Sequence, residues 1–129
     1  MVKILYINGE PATRDALKVA IDQFKGFEGD FVELHEALQV LKERQFHVIF
    51  VEDRPDPVAT LECLEAMCGQ EARLPVVLIA EEASLKELGP EKKRLNIGAV
   101  LKKPLDPVEV FRILARLRDR LDAVDLTAP

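Results

Sequence analysis

A chain of 129 residues, 48% hydrophobic and 32% charged, can bury one proper core and reads as a single domain. Its net charge of -5 excludes the clustered basic excess of a nucleic-acid binder, and no apolar run reaches the ~18 residues that cross a membrane. The Met1-Val2-Lys3 start lacks the apolar stretch of a secretory signal, so a cytoplasmic location is expected.

Lys3–Ile7 reads as a strand dense in Ile and Leu. A helix follows from about Ala12 to Lys25, because Leu17, Ala20, Ile21 and Phe24 recur at helical spacing. Gly26 and Gly29 bracket the predicted loop after it, and Asp30–Leu34 is a short second strand. The next helix, about Glu36 to Arg44, is expected to turn Ala37, Leu38 and Leu41 inward. "HVIFVE", His47–Glu52, is apolar on both faces and predicts a central parallel strand with helices on either side. After the polar loop Asp53–Pro57, a helix from about Val58 to Cys68 has Leu61, Leu64 and Cys68 as its inner stripe.

"PVVLIA", Pro75–Ala80, is another buried strand. Ser84 suits a helix cap, and Gly89-Pro90 must break or delay the helix it starts. Ala99–Lys102 is a fifth, shorter strand. The last helix has Asp106 as its cap, Pro107 in its first turn and Glu109 in the capping-box position. It is expected to end near Leu121, with Val110, Leu114, Leu117 and Leu121 inward. The domain is thus placed at residues 1–122, and 123–129 are expected to be a flexible C-terminal tail or the start of a linker.

Strands alternating with helices predict an α/β fold: a doubly wound five-stranded parallel sheet with five helices and the flavodoxin-like strand order 2-1-3-4-5. In such sheets, ligands and chemistry gather at the carboxyl ends of the strands. That rule selects Asn8, Gly9, Glu10, Glu52, Asp53, Ala80, Glu81, Glu82, Lys102 and Lys103. Cys63 and Cys68 match neither a redox nor a zinc spacing and read as buried thiols. His35 and His47 have no Cys or acidic partner at ligand spacing. No Walker loop, GxGxxG or Ser-His-Asp grouping follows any strand, which removes the usual α/β enzyme readings.

Taken in order, these pieces resemble the receiver domain of bacterial two-component response regulators, over nearly the whole chain. "NGEPATR" stands where that family reads Asp-Asp-Glu-Pro-x-x-Arg, so Glu10, Pro11 and Arg14 match. "EALQVLKERQFHVIFVE" follows the family's second helix into its third strand; "LPVVLIA" looks like its fourth strand, and "VLKKPLDPVEV" like its Lys-Pro turn. The resemblance implies a site in which an Asp after strand 3 accepts a phosphoryl group from a histidine kinase. An acidic pair holds Mg²⁺, and a hydroxyl and a Lys bind the phosphoryl oxygens.

Most of those positions differ here. The metal positions are Asn8 and Gly9, the acceptor position is Glu52, the hydroxyl position is Ala80, and the aromatic switch position is Val100. Lys103 is retained, followed by Pro104, where the resemblance implies a cis peptide bond. The expectation is a pseudo-receiver: a non-enzymatic protein–protein interaction module of bacterial signal transduction, with no cofactor and Mg²⁺ binding weak or absent. Glu52 either mimics a phosphorylated acid by reaching Lys103 or is a solvated loop carboxylate. The pair is expected to be partly exposed and worth ~1 kcal/mol or less. Ala80→Thr is expected to be mild, its β-carbon facing a polar pocket.

The implied partner is another signalling protein or an output domain, met through the face of the fourth helix, fifth strand and last helix. Lys86, Lys92, Lys93, Arg94, Lys102, Arg112 and Arg116 fall there and suit an acidic surface, although ordinary solvated helices carry such residues too. A homodimer is compatible; nucleic acid and membrane are not expected as partners. Two alternatives are an atypical receiver that accepts phosphate on Asp53, and a small flavodoxin-like enzyme or ligand-binding protein with an acidic pocket.

Overall fold

Five of the six residues in the first strand are buried, so β1 (Val2–Ile7) needs cover on both faces. The computed structural model describes residues 2–7, 9–24, 26–52, 62, 64–66, 74–81 and 97–127, with 121–127 described by their backbone. In it, β1 lies inside a five-stranded parallel sheet with β2 (Phe27–Val32), β3 (Val48–Glu52), β4 (Val76–Ala80) and β5 (Ile97–Lys102). The order is β2-β1-β3-β4-β5, the flavodoxin-like order that the sequence predicts. α1 (Pro11–Gln23), α2 (Ala37–Glu43) and a C-terminal helix, α3 (Pro107–Thr127), are joined by a 3₁₀ turn at Leu34–Glu36 and by helical residues at 62 and 64–66. The fourth of the five expected helices lies outside the described residues, as do Ser84, Gly89-Pro90, Leu61, Cys63 and Cys68.

The core is two layers, one on each face of the sheet. Ile4, Tyr6, Val48, Phe50, Val77 and Ile79 face one way, against Leu17 and Ile21 of α1 and Val110, Leu114 and Leu117 of α3. Leu5, Ile7, Ile49, Val51, Leu78 and Ala80 face the other way, against Ala37 of α2 and Leu64. Leu38 and Leu41 are only partly buried against that second layer, at its rim.

The second strand starts earlier than the glycines suggest. Gly26, at φ 98°, makes the turn after α1, but Gly29 lies within β2 and not in a loop. Phe27, paired with Val2, is buried and anchors the strand's start. A Cβ at Gly29 would come 3.1 Å from Ile21 Cδ1, a tight contact with the end of a side chain of α1.

α3 begins as its capping residues predict. The Asp106 carboxylate accepts from the Val108 backbone N–H at 2.9 Å, satisfying an otherwise orphan donor. Glu109 instead pairs with Arg112, one turn on, at 2.9 Å. Asp106→Ala should lower stability by about 1 kcal/mol in urea unfolding. The helix runs on to Thr127, past the end expected near Leu121, so most of the predicted 123–129 tail is helical. "DAVDLT" contains no Gly or Pro to stop it.

Candidate functional site

At the carboxyl ends of β1, β3 and β5 the sheet brings together Tyr6, Gly9, Glu10, Glu52 and Lys103. β1 and β3 pair in parallel with Tyr6 opposite Phe50. Side chains alternate along a strand, so Glu52 projects to the same face as Phe50, where Tyr6 also points. The tyrosine ring is long enough to carry its hydroxyl the two residues forward to Glu52, and its Oη donates to Glu52 Oε1 at 3.0 Å.

Glu52 is fully buried, at 0% exposure. Its other oxygen, Oε2, accepts from the Glu10 backbone N–H at 2.9 Å and lies 3.3 Å from Lys103 Nζ. The Lys103 side chain is 13% exposed and also stands 3.9 Å from the half-exposed Glu10 carboxylate. The turn carrying Lys103 is tied to β4 by its backbone N–H, which donates to the Ala80 carbonyl at 3.1 Å, and the Lys103-Pro104 peptide is cis. A hydroxyl, an amide and an ammonium thus converge on one carboxylate taken out of water.

Two expectations are corrected by this geometry. Glu52 is not a solvated loop carboxylate: Tyr6 and the backbone at the head of α1 close over it, and the exposure of the Glu52–Lys103 pair is confined to the lysine. Nor is Ala80 set in a polar pocket: it is fully buried and packs with Leu78 and Val51 in the second layer. Ala80→Thr should therefore cost roughly 1–3 kcal/mol through overpacking and a buried hydroxyl, measurable by urea unfolding.

The other predicted positions separate. Asn8, Asp53, Glu82, Lys86, Lys92, Lys93 and Arg94 lie outside the described residues. Glu81 is exposed beside β4, and Val100 is half-buried against the second layer. Lys102, Arg112 and Arg116 are exposed. They spread along the β5–α3 face: Lys102 is at the carboxyl end of β5, while Arg116 borders a groove with Pro75 and Gly98 near the amino ends of β4 and β5. His35 is exposed, and the His47 ring serves the backbone, its Nδ1 accepting from the Lys3 N–H at 2.9 Å.

Tyr6 is the site residue that the sequence reading misses. A usable signal exists: it is the chain's single tyrosine, set in an Ile/Leu strand, and a buried tyrosine hydroxyl needs a partner.

The residues described do not fit the divalent cation that the resemblance implies. Gly9 offers no side-chain oxygen, and a Cβ there would overlap Tyr6 Cε1 and lie 2.8 Å from Cδ1. Glu52 already holds an ammonium and two hydrogen-bond donors. Among the described residues no cluster of three or more His, Cys, Asp or Glu could hold a metal ion. Nor, among them, is any helix long and apolar enough to cross a membrane.

No protein-family model matches the chain. No curated protein matches it either. Solved structures do. The chemotaxis response regulator CheY4 of Vibrio cholerae superposes with a TM-score of 0.77 at 22% identity, over 91% of this chain and 98% of that one. A CheY-like response regulator receiver domain protein from Methanospirillum hungatei gives 0.77 at 19% identity, over 99% of each chain. The signal receiver domain of an HD domain-containing protein from Pseudomonas fluorescens gives 0.78 at 17% identity, over 98% of this chain and 93% of that one. At these identities the likeness is one of fold, and it extends over nearly the full length of all three.

Proposed function

We propose that this chain is a receiver-type signalling module that takes no phosphoryl group and acts by protein–protein contact, without catalysis, in a bacterial regulatory pathway. The observation that carries the reading is the sealed Glu52. The side chain at the acceptor position already has its negative charge bonded to Lys103, Tyr6 and the Glu10 amide. A phosphoryl donor would have to displace those partners and would find no side chain at position 9 to hold a cation. The receiver fold of the superposed structures and the retained Lys103 support the same reading.

The partner would meet the β5–α3 face, where exposed Lys102, Arg112 and Arg116 suit an acidic surface. Such a module would work in the cytoplasm. Incubation with acetyl phosphate and Mg²⁺, followed by intact-mass measurement, should leave the chain unmodified. A stable phosphoryl adduct would overturn the reading, and its mapping to Asp53 would establish the alternative acceptor.

Millimolar Mg²⁺ should raise Tm no more than a monovalent salt at matched ionic strength. A saturable rise specific to Mg²⁺ would show ligands that the site as described does not offer.

A further inference from the structure

Tyr6 is fully enclosed, and its surroundings fix its ring in one place. The ring of Phe31, on the neighbouring edge strand, stands 5.4 Å away between centroids and tilted by 58°. The hydroxyl is held by Glu52 Oε1 at 3.0 Å. Over the ring passes the backbone of Gly9, where a Cβ would overlap Cε1 and lie 3.1 Å from Cζ. Real Cβ atoms do not approach this closely, and a buried ring pinned at both ends has no free rotamer to retreat into.

We propose that Tyr6 is the positioning residue that closes this site to divalent cations: its ring fills the volume into which a side chain at position 9 would project, and its hydroxyl holds an oxygen of Glu52. The proposal deepens the reading given above and rests on it for the location of the site. Gly9 and Tyr6 are then one feature. While the tyrosine is present, position 9 must be glycine, and an acid placed there cannot turn its carboxylate toward Glu52. Reopening the cation position takes two changes and not one.

The test is binding of Mn²⁺, a divalent probe that prefers oxygen ligands, followed by its electron paramagnetic resonance signal. Gly9→Asp and Gly9→Asp/Tyr6→Phe should bind no better than the wild type, because phenylalanine keeps the ring. Gly9→Asp/Tyr6→Val should bind at least about tenfold more tightly, the change that 1.4 kcal/mol of new interaction produces. Equal binding by Gly9→Asp and Gly9→Asp/Tyr6→Val would overturn the proposal. So would a Tyr6→Val pair that binds no better than the wild type.

A second measurement does not depend on the valine variant being well folded. The chain has one tyrosine and no tryptophan, so its tyrosine near-ultraviolet circular dichroism band reports on this ring alone. Gly9→Ala should alter that band and lower Tm by roughly 5 °C or more. An unchanged band and Tm would mean that the ring does not hold position 9, and would overturn the proposal. Failure of the functional reading looks different: the wild type itself would bind Mn²⁺ or gain a phosphoryl group, whatever the variants do.

Discussion

Phe50→Ala should cost roughly 3–5 kcal/mol, a large part of the ~5–15 kcal/mol that holds an ordinary domain together. Phe50 is at the middle of the middle strand, fully buried, with β1 on one side and β4 on the other. Its ring belongs to the layer formed by Tyr6, Val48, Val77, Ile79 and Leu114. Strands on both sides and helices above leave little freedom to collapse into the vacated space, so the lost transfer energy and the cavity penalty add. Urea unfolding at constant slope measures the change. A loss under about 1 kcal/mol would contradict this packing, since Phe-to-Ala changes that cheap occur only where a site is open to solvent or able to close.

Lys103→Met should cost about 2–3 kcal/mol, well above the surface-pair value expected from the sequence. The reason is the partner. Glu52 is fully buried, so removing the ammonium strands a carboxylate that cannot be rehydrated in place. The figure is set below the ~3–5 kcal/mol for breaking a fully buried pair. Lys103 keeps some contact with water, and Glu52 keeps the Tyr6 hydroxyl and the Glu10 amide. A double-mutant cycle with Glu52→Gln isolates the charge, because the lysine's loss should cost much less against a neutral amide. Equal costs in both backgrounds would mean that Lys103 contributes packing alone. The same variant tests function, since the Lys103 turn leads into α3 and the proposed partner face.

Much of the fold was legible because it rests on local patterns. The run Val48–Val51 announced a strand covered on both faces, and it is fully buried. Leu17, Ala20 and Ile21 recur at helical spacing and form the buried stripe of α1. Asp106-Pro107 marked the start of α3 to the residue. The errors came where a local signal has two meanings. Gly29 reads as a loop residue by composition, yet it lies in β2, where it pairs with Ile4 of β1. The last helix runs past the expected end near Leu121 to Thr127, because no Gly or Pro stops its backbone there.

For the site, local pattern along the chain is enough to say which residue types occupy which strand ends. Gly9 lies two residues past the first strand, Glu52 ends the third, Ala80 ends the fourth, and Lys103 lies just past the fifth. That follows from strand length and order, which periodicity encodes. That Glu52 is a buried, bonded carboxylate and not a solvated one is settled by long-range packing. Its burial depends on Tyr6 from β1, the backbone of Glu10 at the head of α1, and Lys103 from the turn after β5, residues 42 to 51 positions away in the chain. Nothing in the neighbourhood of Glu52 specifies them, because a charge's hydration is set by what packs over it and not by what precedes and follows it.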